Sequence, residues 1–225
     1  MGDFRRDFIN FACERGALKF GEFKTKSGRL SPYFFNAGGL YSGPDLLRLG
    51  EAYARTLERD LGLDFDILYG PAYKGIPLAT AVVMQLSACF GARIDYCFNR
   101  KEAKGHGDGG LLVGRVPAAG DRVVLIDDVV TAGTSVRESM EILSAIPGVK
   151  VTGMAIALDR REVGKDEANR RSAVREIEEE NGFPVRAIAS FELLEEMISA
   201  GEIAGLPADM SARMAEYRRR YGAEG

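Results

Sequence analysis

Four apolar residues, Val123-Val124-Leu125-Ile126, run directly into two adjacent carboxylates, Asp127 and Asp128. Like charges side by side are costly to hold unless they face water, hydroxyl donors or a cation. The 2′- and 3′-hydroxyls of a ribose are donors of that kind. Soon after comes Thr131-Ala132-Gly133-Thr134-Ser135, three hydroxyls around a glycine that permits close backbone approach. A turn of N–H groups opening a helix is an anion site. The run Asp127-Asp128-Val129-Val130-Thr131-Ala132-Gly133-Thr134-Ser135 therefore suits a phosphorylated ribose, with the acids on the sugar and the turn around the phosphate. It is neither a dinucleotide fingerprint nor a P-loop, which argues against nucleoside triphosphate hydrolysis.

Three further groups bear on the same chemistry. Gly70-Pro71-Ala72-Tyr73-Lys74-Gly75-Ile76-Pro77 reads as a second tight turn between strand and helix, with Lys74 projecting from it. Two such turns at neighbouring strand ends could hold both ends of a ligand with two phosphate groups. The stretch 99–115 gathers Arg100, Lys101, Lys104 and the sole histidine, His106, among five glycines. Glycine at that density does not build a core element, so a mobile cationic lid over a polyanion is expected. Lastly, Ser31-Pro32-Tyr33-Phe34-Phe35 with Lys26 nearby offers a flat pocket carrying a cation. Arg160, after Ala155–Asp159, could grip a carboxylate or imide edge bidentately. Each piece alone also fits a plainer use: a helix cap, a surface lysine, a solvated loop, a packed aromatic. The direct succession of apolar strand, paired acids and hydroxyl-rich turn is harder to explain that way.

The elements that must position these residues follow from periodicity. Phe4, Phe8, Phe11 and Ala12 recur at helical spacing. Leu18–Phe23 and Leu30–Ala37 read as two strands joined at Ser27-Gly28. Pro44 and Asp45 open a helix to about Leu61 whose buried side is expected to be Leu46, Leu47, Leu49, Tyr53 and Leu57. Beyond it, strands at Phe65–Gly70, Ala92–Phe98, Arg122–Asp127 and Val149–Asp159 are separated by helices from Gly75 to Cys89 and from Thr134 to Ala145. A possible edge strand (Val185–Ala189) and two amphipathic helices close the chain. This βαβ alternation predicts an α/β fold with a mainly parallel sheet covered on both faces. Ligands in such folds sit beyond the carboxyl ends of the strands, where the chemistry-bearing groups fall.

With 225 residues, a single domain is expected. A net charge of −3 gives no support for nucleic-acid or membrane-surface binding, and the Arg218–Arg220 run reads as complementing a helix C-terminus. The N-terminus lacks the apolar stretch of a signal peptide or anchor, and Ile76–Phe90 is too short and polar to span a bilayer. Three scattered cysteines without a C-x-x-C point to a reducing cytoplasm and away from a structural zinc site.

Leu18–Phe23, Lys26–Gly38, Tyr69–Pro77, Tyr96–Gly107, Asp127–Ser135, Arg137–Ile142 and Leu158–Arg160 together resemble the type I phosphoribosyltransferases, whose hallmark is paired acids followed by T-x-G-T/S. More narrowly, they are similar to the bacterial orotate phosphoribosyltransferases, in order and at matching separations from about residue 4 to 164, weakening beyond. The resemblance implies a type I phosphoribosyltransferase fold with a small N-terminal hood (about 1–40 plus part of the C-terminal region) over a core at about 41–190. It implies Mg²⁺-dependent transfer of ribose 5-phosphate from 5-phospho-α-D-ribosyl 1-pyrophosphate (PRPP) to N1 of orotate, giving orotidine 5′-monophosphate and pyrophosphate in pyrimidine biosynthesis. Asp127 and Asp128 would contact the ribose hydroxyls, Thr131 to Ser135 would cradle the 5′-phosphate with Val129 and Val130 also binding PRPP, and Tyr73 and Lys74 would meet the pyrophosphate. Arg100, Lys101, Lys104 and His106 would close over it from the neighbouring subunit of a homodimer, and Lys26 would serve PRPP as well as the base. Phe34, Phe35, Thr131 and Arg160 would position orotate. Mg²⁺ would be held mainly by PRPP and water, with no dedicated set of protein ligands. A purine phosphoribosyltransferase would keep the PRPP elements and change Lys26, Phe34-Phe35 and Arg160. A PRPP-sensing regulator would need a DNA-binding segment.

Overall fold

The computed structural model describes residues 3–25, 28–104, 110–131, 133–164 and 170–223. An amphipathic helix α1 (Phe4–Glu14) leads into an antiparallel hairpin, β1 (Leu18–Lys24) and β2 (Leu30–Phe35). Helix α2 (Gly43–Asp60) starts in a capping box, the Ser42 hydroxyl accepting from Asp45 N–H and the Asp45 carboxylate from Ser42 N–H, both at 3.3 Å. Such a cap stabilises a helix start by about 1 kcal/mol. There follow β3 (Ile67–Tyr69), α3 (Gly75–Phe90), β4 (Asp95–Lys104), β5 (Gly110–Gly114), β6 (Arg122–Asp127) and α4 (Thr134–Ser144). The chain continues through β7 (Lys150–Asp159), α5 (Ala173–Asn181), β8 (Val185–Ser190), α6 (Phe191–Ser199) and α7 (Met210–Tyr221).

The six-stranded sheet has the order β5-β4-β3-β6-β7-β8, parallel throughout except for the antiparallel β4–β5 pair. Its central strands carry continuous apolar runs, Ile67–Tyr69 of β3 and Val123–Ile126 of β6, because both faces are covered. Leu68, Val124, Ile126, Ala155 and Ala157 enter the core shared with α1, α2, α3, α6 and α7. Ile67, Tyr69, Val123, Leu125, Met154 and Ile156 enter a second core with residues of α4 and α5. Each buried Val, Leu or Ile side chain stabilises this sandwich by about 1.5–3 kcal/mol. The chain passes from β3 outward to β4 and returns to lay β6 on the other side of β3. That reversal opens a crevice at the carboxyl ends of β3 and β6, where open parallel sheets bind ligands.

The hairpin β1–β2 stands apart from the sheet and packs against α1 and α7. Three expectations need correction. The glycine-rich stretch is not a loop throughout: among the described residues its arms continue β4 and form the edge strand β5. Helix α5 was not anticipated. Leu47 is 54% exposed, because helical spacing from Leu49, Tyr53 and Leu57 turns it to the outer face of α2.

Candidate active site

Strand alternation decides where the two acids go. Val123 and Leu125 face α4, while Val124 and Ile126 face the opposite core. Continuing that alternation, Asp127 turns toward α4 and accepts a hydrogen bond at 2.8 Å from the Ser135 hydroxyl. Asp128 turns the other way and meets Lys74 Nζ at 2.8 Å. The adjacent carboxylates are thus separated by the pleat, each with its own donor. Asp128 N–H also donates to Asp127 Oδ1 at 2.9 Å, and Val129 N–H to Asp128 Oδ1 at 3.1 Å. Tyr53 of α2 supports the turn from beneath, its hydroxyl donating to the Asp127 carbonyl at 2.8 Å. Burial, then the neighbouring Asp128 charge, raises the Asp127 pKa above the ordinary aspartate value, against the lowering effects of Ser135, Asp128 N–H and Lys74.

The turn that follows ends at Gly133, whose φ of +67° opens α4. No side chain caps the first N–H groups of α4. Those donors lie beside the acids with the exposed Thr131 and Thr134, the groups a helix start offers to an anion. Val130 is buried and Val129 partly so, which limits both to main-chain contacts with a ligand. Ala132 lies outside the described residues.

The second turn, 70–75, is tied down by its backbone. Gly75 N–H donates to the Pro71 carbonyl at 3.0 Å, and Gly70 N–H to the Cys97 carbonyl at 2.9 Å. A Cβ on Gly70 would lie 2.1 Å from Gly75 O, and one on Gly75 would lie 2.4 Å from Gly70 C. Only two glycines permit that approach. The Ala72–Tyr73 peptide is cis, Tyr73 is exposed, and Lys74 reaches across to Asp128. Asn99 of β4 fastens the turn, its Oδ1 accepting from Ala72 N–H at 3.0 Å.

Arg100 and Lys101 follow Asn99 within β4, in a break in the β4–β5 register between Asn99 and Lys104. The Arg100 Nε is buried with no hydrogen-bond partner among the described residues. Lys101 Nζ lies 3.8 Å from Glu138 of α4, an exposed pair that contributes little. Lys104 ends β4, and His106 lies outside the described residues.

On the opposite side, Phe34 is 43% exposed and stacks on Phe23 with centroids 5.6 Å apart. Phe35 points into the core against Phe8. Successive strand residues face opposite ways, so the two rings do not line one pocket, and Phe35 can serve a ligand only through its main chain. Arg160 is buried over the Tyr33 ring and pairs with Glu162 and Ser31. Burial opposes its charge, yet the surrounding tyrosines and Glu162 hold its pKa above the ordinary arginine value. Lys26 lies outside the described residues.

Sequence reasoning missed Tyr53, Asn99 and Glu162. Asn99 carried a signal, a polar residue in an inward-facing strand run; Tyr53 passed as an apolar helix residue. Among the described residues, no three His, Cys, Asp or Glu side chains gather to hold a metal ion. No helix among them is long and apolar enough to cross a membrane.

The phosphoribosyl transferase domain model matches residues 36–190. The chain is 51% identical over 222 residues to the orotate phosphoribosyltransferase of Pseudomonas aeruginosa, covering 99% of this chain and 100% of that protein. It is 48% identical over 228 residues to that of Colwellia psychrerythraea, covering 99% of this chain and 100% of that protein. Among solved structures, orotate phosphoribosyltransferase from Francisella tularensis superposes with a TM-score of 0.83 at 40% identity, over 96% of this chain and 100% of that chain. The likeness therefore extends through the C-terminal helices, past the residue 164 at which the motifs thin out.

Proposed function

Because the chain belongs to the phosphoribosyltransferase family, and within it to the orotate phosphoribosyltransferases, we propose a division of labour among its strand-end residues for moving ribose 5-phosphate from PRPP to N1 of orotate. The observation that carries it is the divergence of Asp127 and Asp128 beside an uncapped helix start and across from Lys74. Asp127 and Asp128 accept from the ribose hydroxyls. The turn 129–135 and the first N–H groups of α4 hold the 5′-phosphate. Lys74 and the main chain around Tyr73 take the pyrophosphate, for which Lys74 leaves Asp128. Phe34 and the main chain at Phe35, with Thr131, Lys26 and Arg160, seat orotate, whose negative charge suits two cations where a neutral purine needs none.

As the bond from C1′ to pyrophosphate breaks, its electrons pass to the leaving oxygen and positive charge builds on the sugar. The N1 lone pair of deprotonated orotate then closes the new bond. The acids beneath the ribose offset the developing positive charge, and Lys74, Arg100, Lys101, Lys104 and His106 offset the departing negative charge in a site closed to water. Mg²⁺ would be held mainly by PRPP and water, beside the acid pair that Lys74 and Ser135 engage before the substrate enters. When bound, it neutralises charge on the leaving group. The hairpin β1–β2 with α7 forms the hood over a single catalytic core, and the cytoplasm is the compartment.

The deciding assay follows the ultraviolet absorbance of orotate with PRPP and Mg²⁺, beside adenine and hypoxanthine. Orotate consumption with inert purines is expected; the reverse overturns the substrate assignment. Closure of the 100–114 arm over a neighbouring subunit predicts a second result. Lys101→Ala and Asp128→Asn proteins, each impaired alone, should regain activity on mixing and subunit exchange, since one site of the heterodimer holds both intact parts. Mixtures that exchange subunits yet stay inactive would show that the arm serves its own chain.

A further inference from the structure

Arg160 is gripped along one edge. Its Nε donates to Glu162 Oε1 at 2.7 Å, and Nη2 approaches the same oxygen at 2.5 Å. Nη2 also donates to Ser31 Oγ at 3.2 Å, and the guanidinium carbon stands 4.5 Å from the centroid of the Tyr33 ring. Nη1 donates to none of the described residues. The Glu162 oxygen accepts a third hydrogen bond, from the Tyr217 hydroxyl of α7 at 2.8 Å. The end of α7 is sewn to the segment carrying Glu162. Val163 N–H donates to the Tyr221 carbonyl at 2.9 Å, Ala223 N–H to the Arg161 carbonyl at 2.8 Å, and Glu162 bridges Gly222.

An arginine presents five donors in a rigid fork, so the edge the protein occupies decides the edge a ligand meets. With Nε and Nη2 held by Glu162 and one face covered by Tyr33, Nη1 is the nitrogen left to point outward. The carboxylate that does the holding has a rival: Arg29 Nη1 lies 3.8 Å from Glu162 Oε2. The Tyr217 hydroxyl adds a third donor to Oε1 on the Arg160 side. We propose that Glu162 and Tyr217 are positioning residues for orotate, fixing Arg160 with Nη1 toward the base and making the C-terminal helix part of base recognition. This inference rests on the reading of Arg160 as an orotate contact.

Tyr217→Phe removes the hydroxyl and keeps the ring against Tyr33, Phe191 and Tyr221. The KM for orotate should rise roughly 3- to 10-fold, the net worth of one ordinary hydrogen bond, since the hydroxyl acts on the base only through Arg160. The KM for PRPP and kcat should stay at the parent's values. Glu162→Gln should raise the same KM by roughly 10- to 100-fold. Tyr217→Phe added to Arg160→Ala should change nothing further, since the hydroxyl acts through the arginine. An unchanged orotate KM in Tyr217→Phe, equal rises for both substrates, or additive effects in the double variant would overturn the proposal while Arg160→Ala still weakens orotate. If Arg160→Ala itself leaves the orotate KM unchanged, the base contact is wrong and the positioning role falls with it.

Discussion

Asp127→Asn is expected to lose roughly 100-fold in turnover, the worth of a charge-assisted contact at its upper end, while melting at a higher temperature than the parent at pH 8. Both effects have one cause. The carboxylate sits where burial and the Asp128 charge disfavour its ionised form, so its pKa in the folded protein lies above that in the unfolded chain. A carboxyl shifted upward stabilises the fold at low pH, and that stabilisation is lost as pH rises through the folded value. At pH 8 the parent bears the full penalty of an ionised, poorly solvated Asp127. Asparagine bears none. It can keep the bond from Asp128 N–H through its own Oδ1, and its amide can donate to Ser135 Oγ. Thermal melts at pH 8 and in the acidic range where Asp127 is protonated test the sign. The variant's advantage should shrink on acidification, and equal melting temperatures at both pH values would refute the account. Lost turnover has a separate origin: the neutral amide neither accepts as strongly from ribose hydroxyls nor offsets positive charge at C1′.

Gly70→Ala should be the most damaging glycine-to-alanine change among the described residues. Its Cβ would stand 2.1 Å from Gly75 O and 2.5 Å from Gly75 C, backbone atoms that no side-chain rotation can move. Relief requires the start of α3 to retreat from the end of β3, carrying Lys74 away from Asp128. A loss of about 3 kcal/mol is expected, at the upper end of ordinary single substitutions. For a chain of this size that is roughly 6–12 °C in melting temperature. Activity should fall by more than roughly 100-fold even where the protein stays folded, as misplacement by about 1 Å can do. Gly43→Ala is the control, with open space around its Cβ and a place in the first turn of α2. It should melt at or slightly above the parent temperature. Parent-like activity in Gly70→Ala would mean that the turn is not needed in this form.

The parallel sheet was legible because a strand buried on both faces must be apolar at every position, as Val123–Ile126 is. The turn at 131–135 was legible because Gly133 and its hydroxyl neighbours have few other uses together. The partners of Arg160 were not. Glu162, two positions on, reads as a surface acid, and only the fold brings Tyr217 from 55 residues away to the same oxygen. Phe34 and Phe35 were both visible as aromatic, but sequence could not say which one faces the core. The stretch 99–115 misled through its glycines, for Gly110 and Gly114 bound a strand, β5, that pairs with β4.

That pairing separates two jobs along the chain. Cys97 is laddered to both β3 and β5, so the stretch bearing Asn99, Arg100 and Lys101 grows directly from the interior of the sheet. Its cations keep their origin whatever joins Lys104 to Gly110. Substitutions between Lys104 and Gly110 are therefore expected to leave the strand origin of Arg100 and Lys101 unchanged.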